Sequence, residues 1–368
     1  MTEKNPSSII HHPSSGFRMP AEWEKHEATW LGWPHHRGDA GDWPGKYEAV
    51  LLVLSEIIRV LAEGERVCLI VKDAKEEERA RAMLKDAGVN LAQVTMHFAA
   101  TNRTWMRDSG PTFLTRENPQ GGRSRLLLDW KFNAWAKYPN HALDDKVPQK
   151  IAEVLGLPCI QPVFHKDGKA RRVVLEGGAI DVNGKGTLLA TEECLLSDVQ
   201  ARNPGFTHED YEQVFAEYLG AGHVVWLGKG IAGDDTHGHV DDIARFVRED
   251  TVVAVTTSDR ADPDYTPLQQ NLRTLRTARD QSGRQLTVVA LPMPRAVRHR
   301  GERLPASYAN FLIANKTVLV PTFNDPNDRI ALNILAALFP GREVVGIHAV
   351  DLVWGLGTIH CLSQQQPE

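Results

Sequence analysis

Apolar and polar residues alternate along the chain with two different periods. Near residues 45–62 the apolar positions recur every three or four residues, which is the spacing of one helix face. Near residues 66–71 they form a short unbroken run of the kind that forms a buried strand. Because segments of both kinds follow each other through most of the sequence, the pattern predicts an α/β fold.

The predicted helices and strands cover the chain from residue 28 onward. Helices are expected at residues 45–62, 74–87, 143–155, 207–219, 266–279 and 327–339. Strands are expected at residues 28–33, 66–71, 93–98, 126–130, 173–175, 224–227, 243–247, 252–255, 286–290 and 318–320. No Pro-rich or Ser-rich linker divides these elements into separate segments.

Polar residues interrupt the β-prone segments at intervals of about 65–70 residues, which indicates an internal repeat. Each interruption is followed by a strand and then by a helix. A fifth unit of this kind requires both chain ends, residues 29–33 and Cys361. Such a repeat would turn one polar group of each unit toward a common axis. The four interruptions within the chain are residues 105–108, 175–178, 239–241 and 308–310.

The composition narrows the class of protein. The chain has 368 residues with a net charge of −5, and 42% of them are hydrophobic. It has no basic surplus for coating nucleic acid, and no apolar run approaches the roughly 20 residues of a membrane span. The length alone suggests two or three domains. The repeat and the missing linkers instead predict a single catalytic domain over residues 17–368, behind a flexible tail at residues 1–16.

The four cysteines are too few and too scattered for a disulfide scaffold or a C-x-x-C motif. Cys68 lies in a strand-like apolar run, and Cys159 and Cys194 are also expected to pack in the interior. Cys361 differs because it follows His360 and a glycine-containing loop near the C-terminus. Reduced thiols, together with an N-terminus that does not resemble a signal peptide, predict a cytoplasmic protein.

Three polar segments contain residue types that enzymes use in catalysis. Asp108 ends a Trp-Met-Arg-Asp run, and Glu176 precedes two glycines. Residues 233–242 hold four acids and two histidines, His237 and His239. A His-x-His pair beside aspartates can bind a metal, so a metal-dependent amidohydrolase is one interpretation, although no second histidine pair completes the ligand set. A thiol hydrolase built from a cysteine, a histidine and two carboxylates is the other.

Six short motifs resemble those of the agmatine deiminase family, which also includes bacterial peptidylarginine deiminases. They begin near residue 17 and extend to the end, so the resemblance covers nearly the whole chain. The run His-Cys-x-x-Gln-Gln-Gln-Pro at the C-terminus is highly specific. The motifs are residues 18–23 (RMPAEW), 29–34 (TWLGWP), 105–111 (WMRDSGP), 175–178 (LEGG), 234–241 (DDTHGHVD) and 359–367 (IHCLSQQQP).

The resemblance implies a fold and a set of site residues. The fold is a five-bladed α/β propeller, the pentein fold, with ββαβ-like units around a pseudo-fivefold axis. By motif, Cys361 matches the family's nucleophile and His239 its general acid/base. Asp108 and Asp241 match the carboxylates that hold the guanidinium, and Glu176 matches a further active-site acid.

The resemblance also implies how the substrate reaches these residues and what the enzyme needs. Trp105 and Asp235 match positions that line the substrate channel. The family requires neither a metal nor an organic cofactor. The expected partner is a small cationic guanidine or a peptide arginine, with no nucleic acid and no membrane, and the family suggests a homodimer.

Two departures from the family pattern concern specificity more than reaction class. The loop before the cysteine is typically Gly-Gly-Gly-Asn, whereas residues 355–358 here are Gly-Leu-Gly-Thr. The histidine motif often has Asn where this chain has His237. Both departures are expected to lie near the substrate.

Strand geometry gives further expectations for the residues beside the histidine and the cysteine. In a strand, His239 and Asp241 share one face and Asp242 points to the other. Asp242 is then expected to pair with a basic residue such as Arg245. By the same alternation His360 points away from Cys361, which favours a structural role for it.

The candidate guanidine-binding residues and the family resemblance together favour agmatine deimination, the hydrolysis of a C–N bond in a linear amidine. The resemblance also implies a place in polyamine metabolism and putrescine biosynthesis. Paired carboxylates match the N–H groups of a guanidinium, and a thiolate can attack its central carbon to form an amidino-cysteine. A histidine can protonate the departing ammonia, which leaves N-carbamoylputrescine after hydrolysis. The alternatives are a peptidylarginine deiminase that forms citrulline, a non-catalytic propeller that only binds, and the metal-dependent amidohydrolase.

Overall fold

The computed structural model describes residues 16–38, 41–166 and 168–368. Except for Gly16, the flexible tail predicted at residues 1–16 therefore lies outside the described residues. Across the described ranges, no helix is long and apolar enough to cross a membrane.

Within these ranges nine α-helices and twenty β-strands alternate along the chain, as the apolar pattern predicts. The helices are α1 (Tyr47–Leu61), α2 (Ala74–Asp86), α3 (Met106–Ser109), α4 (Val147–Leu155), α5 (Glu192–Leu196), α6 (His208–Val214), α7 (Tyr265–Thr277), α8 (Pro326–Leu338) and α9 (Ile359–Leu362). The strands are β1 (His26–Gly32), β2 (Arg66–Val71), β3 (Val94–Phe98), β4 (Thr112–Glu117), β5 (Arg123–Leu128), β6 (Cys159–Ile160), β7 (Val163–Lys166), β8 (Lys169–Arg172), β9 (Asp181–Val182), β10 (Thr187–Thr191), β11 (His223–Leu227), β12 (Ala244–Arg248), β13 (Thr251–Thr256), β14 (Thr287–Pro292), β15 (Arg298–His299), β16 (Glu302–Arg303), β17 (Leu312–Ile313), β18 (Thr317–Thr322), β19 (Glu343–His348) and β20 (Ser363–Pro367).

Five sheets in the described part of the chain share one construction. Each has an antiparallel pair of strands, and at least one helix then leads to a strand that runs parallel to the second of them. A parallel neighbour needs such a crossover, because the chain must return to the same end of the sheet before the next strand begins. In strand order the sheets are β20–β1–β2–β3, β4–β5–β6, β9–β10–β11, β12–β13–β14 and β17–β18–β19.

The first and the last strand belong to the same sheet. β20 pairs antiparallel with β1, with Gln364 opposite Trp30. The Trp30 indole N–H also donates a 2.7 Å hydrogen bond to Gln366 Oε1 of β20. The prediction that a fifth unit combines the C-terminal segment with residues 29–33 is therefore confirmed.

Local signals set the limits of the predicted helices. α8 begins with a capping box: the Asp325 carboxylate accepts from the helix backbone, Asp328 bonds back to the cap, and Pro326 occupies the first turn. α4 ends at Gly156, whose left-handed conformation (φ 63°) is accessible to glycine at little cost. The helix predicted at residues 207–219 is α6 followed by one π-helical turn, Phe215–Leu219.

Two predicted strands differ from the structure, and both lie at polar turns. The segment 173–175 contributes only an isolated bridge between Val174 and Lys131. Residues 240–242 form a 3₁₀ turn, so the strand geometry expected for residues 239–242 is wrong. In such turns, side-chain hydrogen bonds to the backbone compete with the ladder of a sheet.

The crossover helices bury the apolar faces that the sequence pattern predicts. On α1, Leu54, Ile57, Ile58 and Leu61 are each at most 1% exposed. Burial of one such side chain contributes about 1.5–3 kcal/mol, so this face alone holds the helix firmly on its sheet.

A polar turn directly precedes the first strand of the antiparallel pair in each of the five sheets described above. Because the turns occupy equivalent positions, side chains far apart in sequence meet in one place. They carry Asp108 before β4, Glu176 before β9, His239 and Asp241 before β12, Asn310 before β17, and Cys361 before β20.

Candidate active site

A cavity of about 290 Å³ lies beside the polar turns. Its inner end is lined by the buried residues Trp105, Asp108 and Cys361. Its outer end is lined by the partly exposed residues Asp42, Arg103, Tyr138, Asp235 and Trp354. Trp105 and Asp235, which the motifs predict to line a channel, thus occupy opposite ends of this cavity.

Cys361 is held by the amide side chain of Asn310. Asn310 Nδ2 lies 3.0 Å from Cys361 Sγ, and Asn310 Oδ1 accepts a 3.3 Å hydrogen bond from the Cys361 backbone N–H. Asp241 Oδ2 lies 3.8 Å from the same sulfur. Burial and the adjacent carboxylates of Asp241, Asp242 and Asp108 raise the pKa of the Cys361 thiol well above its usual value. With these carboxylates ionised, the sulfur therefore carries its proton at neutral pH.

His239 is 1% exposed and lies between three carboxylates. Its Nδ1 is 3.8 Å from Asp108 Oδ1 and 4.0 Å from Asp241 Oδ1, and its Nε2 is 3.6 Å from Glu176 Oε2. Neither ring nitrogen makes a hydrogen bond within the described residues. Burial by itself lowers the pKa of His239, but the charge of Asp108 and interactions with Cys194 and Glu176 raise it well above the usual value. The ring is accordingly an imidazolium at neutral pH.

Asp108 is positioned by neutral donors. Trp135 Nε1 donates a 2.8 Å hydrogen bond to Oδ2, and the Gly178 backbone N–H donates a 3.1 Å bond to Oδ1. Burial, opposed in part by the charge of His239, raises the pKa of Asp108 to about 6. A Cβ on Gly178 would lie 2.5 Å from His239 Nδ1, so only glycine fits between these side chains.

The Trp135 indole reaches Asp108 from a strained turn. Ala134, Trp135 and Ala136 all have positive φ values, of 50°, 58° and 53°. A non-glycine residue in this region costs about 1–2 kcal/mol, so the rest of the fold must hold the turn in place. Sequence reasoning missed Trp135, because nothing in its local pattern indicates a turn of this kind.

Asp241 and Asp242 are adjacent in sequence and have different partners. Asp241 Oδ2 lies 2.7 Å from His360 Nδ1, while its Oδ1 has no hydrogen-bond partner in residues 16–38, 41–166 and 168–368. Burial raises the pKa of Asp241, but the hydrogen bond and charge of His360 outweigh it, and the pKa is lowered. Asn310 Nδ2 donates a 3.0 Å hydrogen bond to Asp242. Burial and the charge of Asp241 raise the pKa of Asp242 well above the usual value.

The predicted pair of Asp242 and Arg245 does not form. Arg245 instead contacts Asp181 at 2.6 Å and Glu22 at 2.7 Å. The prediction is wrong because the chain leaves the strand in the 3₁₀ turn Val240–Asp242, so strand alternation does not extend back from β12.

Glu176 faces His239 on one side and a buried arginine on the other. Arg202 Nε donates to both carboxylate oxygens, at 3.1 and 3.3 Å. Burial raises the pKa of Glu176, but the charge of Arg202 and the contact with His239 lower it to about 2. Glu176 is therefore ionised and helps to keep His239 protonated.

The alternative interpretation, a metal site at His237 and His239, finds His239 but not His237 in the group of possible ligands among the described residues. His237 has a positive φ of 65°, and its Nε2 lies 3.1 Å from Ser197 Oγ, away from the carboxylates. Glu176, Cys194 and His239 do have ligand atoms within 4.8 Å of one another, a spacing compatible with a metal ion. The Arg202 guanidinium already occupies both oxygens of Glu176, so a metal cation there would have to compete with it.

The departure in the loop before the cysteine places Leu356 and Thr358 close to the cavity and to Asn310. Leu356 has a φ of 69° and lines the cavity, whereas Thr358 Oγ1 donates a 2.7 Å bond to Asn310 Oδ1. The two glycines that remain are required by close contacts, since a Cβ on Gly357 would lie 2.8 Å from the Trp105 ring. The threonine thus supports the amide that holds Cys361.

The outer end of the cavity contains paired charges. Asp42 lies 3.3 Å from Arg103 Nε, and burial raises the pKa of Asp42 to about 6 despite the charge of Arg103. Asp235 Oδ2 accepts a 2.8 Å hydrogen bond from Tyr138, and its Oδ1 contacts Lys137. Each outer acid therefore already has a cationic neighbour.

The chain belongs to the Porphyromonas-type peptidyl-arginine deiminase family, whose model matches residues 18–367. It is 36% identical to the agmatine deiminase of Ectopseudomonas mendocina over 96% of each chain. It is 38% identical to a putative agmatine deiminase of Latilactobacillus sakei, again over 96% of both chains. A solved structure of the agmatine deiminase of Enterococcus faecalis superposes with a TM-score of 0.86, at 32% identity and with 98% of each chain covered.

Proposed function

We propose that this protein is an agmatine deiminase, a hydrolase that converts agmatine and water to N-carbamoylputrescine and ammonia. The observation that carries the proposal is the buried group of Asp108, His239, Asp241 and Cys361, of which Asp108 and Cys361 line the inner end of the cavity and His239 and Asp241 lie directly beside them. The agmatine deiminases among the relatives support the same activity.

A guanidinium is the substrate group that this inner end suits. It is planar and positively charged, and carboxylates match its paired N–H groups with charge-assisted hydrogen bonds. Asp241 Oδ1 is buried and lacks a partner among the described residues, so a guanidinium N–H would satisfy it. We assign Asp108 and Asp241 to hold the guanidinium and Glu176 to support His239.

Binding of the cation also prepares the nucleophile. The carboxylates that raise the pKa of Cys361 are the groups that the guanidinium neutralises. Once they are neutralised, the thiol pKa falls and the proton passes to solvent, which leaves a thiolate beside the electrophilic carbon.

The reaction then proceeds in two halves. The Cys361 thiolate attacks the guanidinium carbon, the His239 imidazolium protonates one amino group, and ammonia departs from an S-amidino-cysteine. The neutral His239 next takes a proton from water, and the resulting hydroxide attacks the amidino carbon. Collapse breaks the C–S bond and releases the ureido product with Cys361 as thiolate, while the hydroxyl proton passes to solvent and balances the proton that the departed ammonia takes up. His239 thus donates the proton that ammonia needs to depart and accepts the proton that water loses.

The outer end suits the amine tail of agmatine. Its walls are aromatic, and the half-buried carboxylates of Asp42 and Asp235 would attract an ammonium group. The runner-up substrate is an arginine with a carboxylate or a peptide bond, and Arg103 at the same end is the observation that favours it.

The test is ammonia release from agmatine, free arginine and a peptide with C-terminal arginine, assayed side by side. We expect kcat/KM for agmatine to exceed the other two by about tenfold or more, because one lost charged hydrogen bond costs about 1.5–3 kcal/mol. A higher value for the peptide would replace the proposal by peptidylarginine deimination. No turnover of any of the three would favour a non-catalytic binding protein.

We also infer that the five sheets close around one axis as a five-bladed α/β propeller, in a single domain over residues 17–368. The equivalent polar turns of the five units support this arrangement, because all five contribute to one cluster. A homodimer and a cytoplasmic location stay predictions, which sedimentation and cell fractionation would test.

A further inference from the structure

His360 joins a substrate-facing carboxylate to a buried glutamate. Its Nδ1 lies 2.7 Å from Asp241 Oδ2, and its Nε2 lies 2.8 Å from Glu22 Oε2. The imidazole is 2% exposed, and neither contact is to Cys361. A general structural role for His360 does not account for contacts to two carboxylates at such short distances.

The two short contacts of His360 require a proton on both of its ring nitrogens. Glu22 also contacts Arg245 at 2.7 Å and Arg107 at 3.7 Å, and Arg245 pairs with Asp181 at 2.6 Å. This group, together with Asp241, contains three carboxylates and two guanidinium ions. Ionised carboxylates accept but do not donate, so both ring nitrogens must carry a proton to bond to both acids.

We propose that His360 is a positioning residue that binds Asp241 through Oδ2 and so keeps Oδ1 ionised and free for the guanidinium. This rests on the proposed function, since Asp241 is there one of the two acids that hold the substrate. Glu22 has the complementary role, because it holds the far side of the imidazolium.

The neighbouring acid shows what Asp241 would be without a cation. Asp242 is equally buried, and its contact is the neutral amide of Asn310. Its pKa is raised well above the usual value, whereas that of Asp241 is lowered by His360. Asp241 contacts the His360 ring and has a lowered pKa, whereas Asp242 has no such contact and its pKa is raised by burial and by the charge of Asp241.

The test replaces the imidazole by an uncharged donor. His360→Asn keeps an N–H near the position of Nδ1 but carries no charge, so Asp241 keeps its orientation and loses the cation in direct contact with Oδ2, while the His239 imidazolium remains 4.0 Å from Oδ1. Loss of an opposite charge at contact distance raises a carboxyl pKa by about 1–3 units. Asp241 must be ionised to bind the guanidinium, so the variant should need a higher pH for binding.

We expect KM for agmatine to rise about tenfold or more near pH 6 and the difference from the wild type to shrink as the pH rises. The second readout does not depend on the natural substrate. Millimolar guanidinium chloride should protect Cys361 from iodoacetamide, measured by peptide mass spectrometry, and protection of the variant should weaken most at low pH.

Matched variants separate positioning from simple packing. His360→Gln places its amide nearer to Glu22 than to Asp241, and it should impair guanidinium protection more than His360→Asn at every pH. His97→Asn removes a histidine of β3 that stacks on Trp30 at 5.1 Å, and it should leave KM and its pH dependence unchanged.

The outcomes distinguish the two proposals. The wild-type protein could fail to deiminate agmatine while guanidinium still protects its Cys361 from iodoacetamide. That result would overturn the proposed substrate, and the protection assay alone would then test the role of His360. A His360→Asn protein that is folded, by its thermal melt, and has wild-type protection at every pH would overturn the role of His360. A uniform loss at every pH would also overturn it, because a packing defect does not titrate.

Discussion

The inner and outer ends of the cavity differ in how deeply their charged groups are buried and in the partners of those groups. At the inner end, Asp108, His239, Asp241 and Cys361 are at most 7% exposed, and their pKa values depend strongly on one another. At the outer end, the Asp42 and Asp235 side chains are 17% and 16% exposed and are paired with basic residues. Under the proposed function, we expect the inner end to determine the reaction and the outer end to determine which guanidine enters.

Loss of the nucleophile should give the largest effect. Cys361→Ala is expected to lower kcat for agmatine by about 10⁴-fold or more, because removal of a nucleophile leaves only binding and electrostatic contributions. The measurement is ammonia release, with a thermal melt to show that the fold is intact. Cys159→Ala, at a half-buried cysteine of β6, is the control and should retain full activity. Full turnover by the Cys361 variant would contradict the thiol mechanism.

The second largest effect should come from removal of one carboxylate at the inner end. Asp108→Asn keeps the shape of the side chain and removes its charge, so we expect kcat/KM to fall by about 10²–10³-fold. Asp325→Asn, at the cap of α8 and outside the cavity, is the control. If both variants keep wild-type kcat/KM, Asp108 does not hold the guanidinium.

The pH dependence should report the same carboxylate. Asp108 must be ionised to bind the cation, and burial raises its pKa to about 6. We therefore expect kcat/KM to reach its maximum at pH values above this pKa and to fall as the pH decreases through about 6. A profile of kcat/KM from pH 4.5 to 8 checks this. A flat profile between pH 5 and 7 would exclude Asp108 as the group that titrates.

The outer end should affect binding more than chemistry. Asp235→Asn is expected to raise KM for agmatine about tenfold with little change in kcat, because it weakens one charged hydrogen bond to the tail. The matched control is ethylguanidine as a competitive inhibitor, since it has the guanidine and no amine. Its inhibition constant should be the same for the wild type and the variant. If the variant binds agmatine and ethylguanidine more weakly by the same factor, the two ends of the cavity do not have separate roles.

The smallest effect should come from outside both ends. Asp325→Ala removes the cap of α8 and should lower the free energy of unfolding by about 0.5–2 kcal/mol. Denaturant unfolding measures the loss. KM and kcat should be unchanged, and a changed KM would show that α8 is coupled to the cavity.

Much of the fold could be predicted because its signals are local. The apolar period of α1 and the capping residues of α8 are within a few positions of the elements that they define. The regular spacing of polar turns even predicted the pairing of β20 with β1. The strand expected at residues 239–242 was wrong, because the Asp234 carboxylate accepts hydrogen bonds from the backbone N–H groups of Gly238 and His239, and these compete with strand formation.

The candidate site could be predicted in part. Cys361, His239, Asp108, Asp241 and Glu176 are recognisable by motif, and their side chains lie in one buried cluster. Asn310 could have been suspected, because it occupies the equivalent turn of another unit. Trp135 and Arg202 could not, since each approaches the cluster from a segment without a catalytic pattern.

The sequence by itself determined the elements, the repeat and the residue types of the site, because periodicity, capping and short motifs act over a few neighbouring positions. The tertiary structure decided the partners of the charged side chains. It assigned Arg245 to Glu22 and Asp181, Asn310 to Cys361, and His360 to Asp241. These choices depend on which units are neighbours and how deeply each group is buried, and both properties arise only when segments far apart in the chain pack together.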